Sequence, residues 1–578
     1  MEYVIIELSP DQAIDEKTLA DNFKLCREKG SKPVCVVLPV SATVKKNYNA
    51  NDLKLFRETI NKVVKKYKAE FIDLFDDKPA DAAATAALLS ARLYFANVVS
   101  LKDILNMPAE FFKVLSKYFP KDCKKLIQHV FCKLACDDFN CLSKILPREI
   151  LLDLMANVFA NMTYNHLANL SDMLSKDDYN DLAARVFKIS AEKIRRKDKI
   201  KVGFYFAYSS FYFGDDLYNL FANDERFEPT LFINTKSGNA AINSERFQDA
   251  ERFKKNGINI FDLNDKALKI PAQDVLFCLT PYQGAVPVPF RLVNLKLTTL
   301  MVNIPYTFSV CAERGHVLSS HFVRSLWKMF FPSTMLLKLA KKVSKVGMVR
   351  GLYSGYPKMD AFFRKDAEFK FDWKMIRPDA KKIIWAPHHS ITNKGPVLAT
   401  FQWNYKFLYE FAKNHPETSW IVKTHPALPL KVVSNKIFPS IAAYEEYLQA
   451  WDDLPNAQVY MGAYYQAIFA TSDGMIQDCA SFVAEYQYVD KPMIYLTRDT
   501  QKFNELGAAI LNASYLVDGK DLEGIAATIQ HVIIDGDDYK ASERKEVFDK
   551  YLNYPKSNGM LASEFIFKNI ADELISLT

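Results

Sequence analysis

Short apolar runs alternate with amphipathic stretches near the amino terminus. Strand-like runs lie at 4–8, 33–38 and 70–75, and apolar residues at helical spacing fill the intervals between them. Strand and helix in alternation predict a parallel α/β unit. We assign residues 1–78 to this small α/β unit.

The pattern loses its strand-like runs between residues 79 and 196. Stretches such as DAAATAALLSARLYFANVV and PREILLDLMANVFANM carry Ala and Leu at helical spacing, which predicts several short helices packed as hairpins. The charged run AEKIRRKDKIK closes the region and is interpreted as a linker. We expect an all-helical region that acts as a spacer or docks a partner, since no residue pattern in it suggests chemistry.

Two further series of apolar runs follow, each interleaved with helical patterns. They begin at KVGFYF (from Lys201) and at KIIWAP (from Lys382), and each predicts a Rossmann-like domain, at 197–375 and 376–578. The other predicted strands lie at 229–234, 258–263, 274–280, 299–305, 419–426, 457–462, 474–479 and 492–496. Two such α/β domains facing each other resemble the GT-B architecture of nucleotide-sugar transferases, and ligands of such sheets bind outside the carboxyl ends of the strands.

A basic loop follows the predicted strand WIVK in the second of these domains. His425 lies two residues after Lys423, and Pro426 favours an extended conformation for the histidine. A lysine can neutralise phosphate charge, and an imidazole can donate to a bridging or leaving oxygen. The pair therefore predicts a phosphate site, with a solvated lysine beside a loop histidine as the simpler alternative.

The stretch TSDGMIQDCASFVAEYQY predicts a second anion site. Asp478 ends a strand, and a helix is expected to begin at Ala480, Ser481 and Phe482. Backbone N–H groups at a helix start attract anions, and Glu485, one turn later, could accept hydrogen bonds from ribose hydroxyls. An ordinary Asp/Ser helix cap is the alternative.

Adjacent histidines follow the first strand of the last domain, in WAPHHSITNKG. We expect His388 and His389 to point in opposite directions from an extended loop, and no Asp-rich cluster accompanies them. We therefore expect no metal here. One histidine is predicted to face the cleft, and Ser390 and Lys394 add donors suited to phosphate.

The ordered set of motifs carries a resemblance to a known family. GYPKMD precedes Lys-x-His-Pro, which precedes the block around Asp478 and Ser481. This order resembles the CDP-glycerol glycerophosphotransferases, the teichoic acid and capsule polymerases, over about residues 200–578. The resemblance implies transfer of a polyol phosphate from a CDP-activated donor to a polymer hydroxyl, with release of CMP.

The family's roles transfer residue by residue with some departures. Lys423 and His425 take the place near the diphosphate, and Asp478, Ser481 and Glu485 take the nucleotide site. Where the family has Asp-Tyr-Ser-Ser, the tyrosine and the first serine are replaced by cysteine and alanine, so one phosphate contact could be lost.

A second departure concerns the catalytic base. The family carries Trp-His-Gly-x-Pro at the end of a strand in the first domain, and this chain has MVNIPYTF there, with Asn303 near the expected histidine. We predict that His316, His321 or His388 takes the acceptor proton. Asn303 is predicted to bind the acceptor. The same departure leaves the polyol open, with ribitol phosphate as an alternative to glycerol phosphate.

The charge is uneven along the chain. The net charge is +7, and no acidic residue occurs between Glu313 and Asp360, a segment rich in Lys, Arg and aromatic residues. Such a segment suits an anionic lipid surface or a polyanionic acceptor, and Arg324 and Lys328 in it are predicted to bind the acceptor. A solvated helix face is the alternative. Nucleic acid is not expected, because no recognised motif accompanies the patch.

Compartment is inferred from the absence of targeting patterns and from cysteine use. There is no signal-peptide pattern and no apolar run long enough to span a bilayer. Cys132, Cys136 and Cys141, with Cys123, match a zinc site only in part, and free apolar cysteines are the better interpretation. A cytoplasmic enzyme with peripheral contact to the inner face of the membrane is expected.

Three functions are compatible with these patterns. The favoured one is a glycerophosphotransferase that uses CDP-glycerol and needs no further cofactor, acting on a polysaccharide or lipid-linked acceptor. The alternatives are a GT-B glycosyltransferase that uses a sugar nucleotide and a non-catalytic GT-B scaffold.

Overall fold

A computed structural model of the chain describes residues 3–8, 16–28, 32–37, 50–67, 70–73, 148–235, 249–265, 269–312, 315–391 and 397–575. The chain forms two compact units, Met1–Phe159 and Ala160–Thr578. The cysteines at 123, 132, 136 and 141 lie outside the described residues, as does most of the predicted helical region.

The first unit contains a three-stranded parallel sheet in the order β1-β2-β3. Its strands are β1 (Tyr3–Leu8), β2 (Lys32–Val37) and β3 (Glu70–Asp73). Its described helices are Glu16–Glu28, Ala50–Tyr67 and Arg148–Phe159. The strand–helix alternation predicted from the sequence is present here.

The second unit begins with a seven-stranded parallel sheet in the order β10-β9-β8-β7-β4-β5-β6. Its strands are β4 (Ile200–Tyr205), β5 (Phe227–Ile233), β6 (Ile260–Asp262), β7 (Val275–Cys278), β8 (Leu300–Asn303), β9 (Lys328–Phe331) and β10 (Gly351–Tyr353). Helices of this half span Tyr164–Leu170, Lys176–Arg195, Asp215–Ala222, Gly315–Leu318, His321–Ser325 and Thr334–Val343. We refer to these elements as the first half.

A six-stranded parallel sheet follows, in the order β13-β12-β11-β14-β15-β16. Its strands are β11 (Lys381–Ala386), β12 (Thr418–Val422), β13 (Ala457–Val459), β14 (Gly474–Gln477), β15 (Met493–Thr497) and β16 (Tyr515–Asp518). Helices of this second half span Phe401–Asn414, Leu428–Ser434, Ile441–Asp453, Gln466–Thr471, Phe482–Glu485, Glu505–Asn512, Leu522–Thr528, Ala541–Tyr551, Tyr554–Asn558 and Ala562–Ile575. In both sheets the first strand lies in the interior and the strand order reverses beside it, so the predicted GT-B-like pair of Rossmann-like halves is confirmed.

The strands of both sheets are short and almost wholly apolar. Trp385 and Trp420 on neighbouring strands are fully buried and pack with Trp451 of helix Ile441–Asp453. Sheets covered by helices on both faces need such continuous apolar strands. This packing fixes the strand ends, and therefore the loops that follow them.

Two expectations about organisation change. Helices Tyr164–Leu170 and Lys176–Arg195 belong to the second unit, because hydroxyl groups on them bond to the sheet region, as Tyr164 does to the carbonyl of Thr299 at 2.7 Å. The run at 191–201 is therefore the end of a packed helix and the turn into β4 rather than an interdomain linker. No described helix is long and apolar enough to cross a bilayer.

The last helix returns to the first half. Asp360, after β10, accepts the backbone N–H groups of Ala562 and Ser563 at 3.0 and 2.8 Å and so caps helix Ala562–Ile575. Phe567 of that helix packs edge-on against Phe221, with ring centroids 5.0 Å apart. The chain therefore connects the two halves twice, once before the second sheet and once after it, where the last helix packs on the first half.

Candidate active site

The carboxyl ends of three neighbouring strands in the second half carry the predicted phosphate-binding residues. His388 follows β11, Lys423 and His425 follow β12, and Ser481 follows β14. These strands are adjacent, with β11 at the centre. The loops therefore meet at one edge of the sheet, as expected for an α/β ligand site.

Three histidines form a tight cluster there. The ring centroid of His389 lies 4.3 Å from that of His388 and 3.9 Å from that of His425, and one nitrogen from each ring lies within 4.8 Å of the others. The expectation that His388 and His389 point apart is wrong. The loop bends at this position, and the backbone N–H of Ile391 returns to the carbonyl of His389 at 3.0 Å.

Backbone donors fix the tautomers of two of these rings. The Nδ1 atom of His425 accepts the N–H of Ala427 at 3.0 Å, and Nδ1 of His388 accepts the N–H of Ser390 at 3.3 Å. A neutral imidazole has one proton, which must then sit on Nε2. Both Nε2 atoms are therefore hydrogen-bond donors.

His389 and His425 have lowered pKa values and are therefore neutral near pH 7. Burial, and then the charge of Lys431, lower the pKa of His389 to about 4. Burial, then His389 and Lys423, lower the pKa of His425 to about 3. Near neutral pH these rings can donate hydrogen bonds, but they add no charge of their own.

The cluster suits an anion better than a divalent cation. A ligating histidine normally donates its second N–H to a carboxylate or carbonyl, whereas Nδ1 of His388 and of His425 each accept a backbone N–H. A ring in this tautomer offers a metal no lone pair at Nε2, and two nearby lysines repel cations. Phosphate oxygens fit both the donors and the charge.

Lys423 is held at the same edge. Its Nζ donates to the carbonyl of Gly462 at 2.7 Å and lies 5.0 Å from the ring centroid of Tyr460 and 5.8 Å from that of Tyr465. The charge is therefore positioned by protein contacts next to the histidines. This arrangement is consistent with the predicted role of Lys423 near a diphosphate.

Asp478 positions loops. Its Oδ1 accepts the N–H of His388 at 2.6 Å, and its Oδ2 accepts the N–H and the hydroxyl of Thr400 at 2.5 and 2.9 Å. Burial raises the pKa of Asp478 to about 6, partly offset by these bonds. A direct contact with a donor, as predicted, would have to compete with all three bonds.

The helix after β14 is shorter than expected. It spans Phe482–Glu485 and continues only as a 3₁₀ turn, and the side chain of Ser481 makes no capping bond. The hydroxyl of Ser481 lies instead 2.9 Å from that of Thr307, in the loop after β8 of the first half. The strand ends of the two halves therefore face each other across this contact.

Glu485 faces the contact between the halves rather than solvent. It is 1% exposed and accepts the hydroxyl of Tyr465, while Lys358 of the first half lies over the Tyr465 ring at 4.3 Å and donates to the carbonyl of Ser210. Burial raises the pKa of Glu485 to about 7 and lowers that of Lys358 to about 8, and each charge opposes the other's shift. The short helix turns this carboxylate inward, and its ribose contact stays a prediction.

Three residues predicted from the basic segment lie elsewhere. Asp172 bonds to Arg324 at 2.7 Å, to Lys345 at 2.8 Å and to His321 at 2.6 Å, and these bonds, that of Arg324 above all, hold the pKa of Asp172 well below its usual range. Lys328 begins β9 and pairs with Glu573 at 2.6 Å. Arg324 and Lys328 lie at the amino end of β9, at the opposite end from the cleft, and their acceptor role stays a prediction. His321 is held by the same carboxylate.

The structure describes some of the remaining predicted site residues in full, one by its backbone only, and one not at all. Asn303 is buried and donates to the carbonyl of Cys278 at 2.7 Å at the cleft end of β8. Ser390 bonds His388 at 2.7 Å. The backbone of His316 lies in helix Gly315–Leu318, and Lys394 lies outside the described residues.

Sequence reasoning missed several residues of the cleft. Thr307, Tyr306 and Tyr465 bridge or line the halves, yet none belongs to a motif with a chemical signature. Lys358 lies in both the GYPKMD motif and the basic segment, and neither pattern assigned it to the cleft. The sequence feature that could have identified these residues is their position just after a predicted strand or within a motif.

Comparison with known families supports the predicted resemblance. Residues 328–571 match the family model described as CDP-glycerol:poly(glycerophosphate) glycerophosphotransferase. The matched range contains the whole six-stranded sheet and the histidine cluster but fewer than half of the 578 residues. The resemblance to this family is confirmed over the matched range.

Solved structures show looser likeness. UDP-GlcNAc 2-epimerase from Neisseria meningitidis is 12% identical, with 65% of this chain and 100% of that chain covered and a TM-score of 0.43. The wall teichoic acid polymerase TagF is 11% identical, with coverage of 68% and 95% and a TM-score of 0.42. At these scores the architecture rests on the strand order itself. No curated protein sequence matches the chain significantly.

Proposed function

We propose that this chain transfers a polyol phosphate, with glycerol phosphate as the first choice, from a CDP-linked donor to a hydroxyl of a capsule polysaccharide or teichoic-acid-like acceptor, releasing CMP. The observation that carries the proposal is the convergence of two imidazole N–H donors with Lys423 at one strand edge, inside the range that matches the family. Both the chemistry of the site and the family description favour a donor with a diphosphate.

The donor's diphosphate is assigned to the second half. His388 and His425 donate from Nε2 to its oxygens, and Lys423 supplies the positive charge. Preorganised donors of this kind stabilise charge that develops on the leaving group without reorganising during the reaction. Asp478 supports the assembly by holding the backbone of His388.

The reaction is a displacement at phosphorus. The acceptor oxygen forms a bond to the phosphorus nearest the polyol, and the bond from that phosphorus to the bridging oxygen breaks. The bonding electrons leave with CMP, whose phosphate remains against the imidazole donors and Lys423. The acceptor proton passes to a base.

We assign the base to His316. His388 and His425 carry their proton on Nε2 and have Nδ1 engaged, so neither has a lone pair directed at the acceptor. His316 lies in helix Gly315–Leu318, and the two residues that follow it, Val317 and Leu318, line a pocket together with Asn303. Of the three histidines predicted as the base, His388 and His321 are engaged elsewhere, which leaves His316.

A donor screen tests the function. The purified chain is incubated with CDP-glycerol, CDP-ribitol and UDP-sugars in the presence of teichoic acid or capsule acceptors, and the released nucleotide is identified. We expect CMP from a CDP-polyol, and we expect His425→Ala to release it about 10²–10³-fold more slowly. Release of UDP would establish the glycosyltransferase alternative, and no release from any donor would establish the scaffold.

A peripheral membrane contact is proposed for one helix of the basic segment. Within that segment Arg324 and Lys328 are engaged in ion pairs, whereas Lys338, Lys341 and Lys342 on helix Thr334–Val343 are exposed. An exposed basic helix can bind anionic headgroups. The contact would bring the cleft to a lipid-linked acceptor.

A further inference from the structure

The first half of the cleft carries aromatic side chains on three neighbouring strand ends. Tyr208 and Phe211 follow β4, Tyr282 follows β7, and Tyr306 follows β8. These strands are adjacent in the sheet. We call these four residues the aromatic platform.

The platform is held by its own contacts. The rings of Phe211 and Tyr306 are stacked with centroids 3.8 Å apart and an angle of 12°, and Tyr208 meets Phe211 edge-on at 5.2 Å. The hydroxyls of Tyr282 and Tyr306 lie 2.9 Å apart. Tyr208 and Tyr282 nevertheless remain 45% and 46% exposed, so large aromatic faces are presented to whatever enters the cleft.

A pocket adjoins the platform and is lined by uncharged residues in the described part of the chain. Tyr282 and Tyr306 form part of its wall, and the other lining residues are apolar or neutral hydrogen-bonding groups. Asn303, Thr307 and Ser309 are the neutral hydrogen-bonding groups among them. The space measures about 460 Å³ including its open mouth.

The platform lies next to the proposed donor site. Tyr306 is followed directly by Thr307, whose hydroxyl lies 2.9 Å from that of Ser481 at the end of β14. Tyr356 fixes this loop by donating to the carbonyl of Tyr306 at 2.9 Å. A group bound on the platform would therefore be near the donor's phosphates.

We infer that the aromatic platform binds an uncharged sugar ring, so that the acceptor hydroxyl belongs to a glycan rather than to the end of a glycerol phosphate chain. This inference rests on the proposed function. A pyranose has a C–H face that packs on aromatic rings and equatorial hydroxyls that the tyrosine, threonine and serine groups can bond. A polyol phosphate chain has a negative charge in each unit, and the described pocket lining contains no cation to balance it. Lys358, which donates to the carbonyl of Ser210 beside Phe211, is only 4% exposed and does not face the pocket lining.

Binding without donor tests the inference directly. The full-length chain is examined by saturation-transfer NMR with methyl pyranosides of glucose, galactose, N-acetylglucosamine and N-acetylgalactosamine, and with a synthetic glycerol phosphate trimer. We expect at least one pyranoside to bind, and Tyr282→Ala to weaken it by about tenfold. The matched control is Tyr539→Ala, which removes a tyrosine that is 61% exposed in the second half, and it should change nothing.

The outcomes separate the inference from the proposed function. Tighter binding of the trimer than of every pyranoside, or pyranoside binding that Tyr282→Ala leaves intact, would overturn the sugar site. CDP-glycerol binding is measured on the same samples by calorimetry. A chain that binds a pyranoside but neither binds CDP-glycerol nor releases CMP would refute the proposed function while supporting the sugar site.

Discussion

Asp478 accepts the backbone N–H of His388 at 2.6 Å, so the end of β14 holds the loop that follows β11. The second oxygen of the same carboxylate holds Thr400, at the start of helix Phe401–Asn414. One buried side chain thus fixes two backbone segments around the candidate donor site. Its effect on function should therefore act through the position of His388.

Removal of this carboxylate should impair both folding and donor binding. Asp478→Ala leaves two backbone N–H groups without their acceptor, which should lower the free energy of unfolding by about 2–5 kcal/mol. The loop of His388 loses its anchor, so affinity for CDP-glycerol should also fall, as measured by calorimetry.

A matched control exists at the opposite end of the same strands. Asp473 accepts the N–H of Lys382 at 2.8 Å at the amino end of β11. Asp473→Ala should lower stability without changing donor affinity. Equal donor affinity in the two variants would show that Asp478 does not position the site.

Substitutions at His425 should distinguish a hydrogen-bond donor from a base. Glutamine has an N–H group near the position of the histidine Nε2 but cannot take a proton. We expect His425→Ala to lower turnover about 10²–10³-fold, as for the loss of one oxyanion donor, and His425→Gln to recover a large part of it. Equal losses in the two variants, measured as CMP release, would contradict the donor role.

The partly buried histidines His389 and His425 should make stability depend on pH. In the unfolded chain a histidine binds a proton near pH 6.5, whereas burial lowers the pKa of His389 to about 4 and that of His425 to about 3. The contribution of each histidine to the free energy of unfolding is therefore complete well above pH 6.5, and it is lost as the pH falls toward the pKa of the folded state. Between pH 7.5 and 5 the loss should reach at most about 2 kcal/mol per histidine.

Denaturant titrations at several pH values would measure this slope. His425→Gln should flatten the decline between pH 7.5 and 5. His531→Gln, at an exposed histidine, serves as the control and should leave it unchanged. An unaltered slope in His425→Gln would mean that the ring is not held neutral by the fold.

The proposed membrane contact predicts a loss of vesicle binding. Replacement of Lys338, Lys341 and Lys342 with serine should weaken binding to phosphatidylserine vesicles at low salt by about tenfold or more, because each lysine near an anionic surface contributes about 1 kcal/mol. Cosedimentation measures this directly. Replacement of the exposed Lys370, Lys413 and Lys568 with serine is the control, and this variant should bind vesicles as the parent chain does. Failure of the parent chain to bind the vesicles would refute the proposed membrane contact.

The predicted fold and site differ from the structure in specific places. Strands β9, β10 and β16 are not among the strands predicted from the sequence. The residues of β9 and β10 belong to the segment interpreted as basic and aromatic, and β16 has only four residues. The same reading placed Arg324 and Lys328 at an acceptor site, although β9 runs so that both lie at its amino end. Glu485 was placed toward a ligand by helical spacing, and the short helix turns it inward.

The sequence by itself determined the two Rossmann-like halves and the order of the phosphate-binding motifs, because apolar runs and strand-end polar residues are local patterns. Only the tertiary structure decided that His388, His389 and His425 meet, since β11 and β12 pair across more than thirty residues of chain. It also decided their tautomers, because backbone N–H groups of the folded loops occupy Nδ1 of His388 and His425. Proximity, burial and proton position depend on what packs around a residue, which no local pattern specifies.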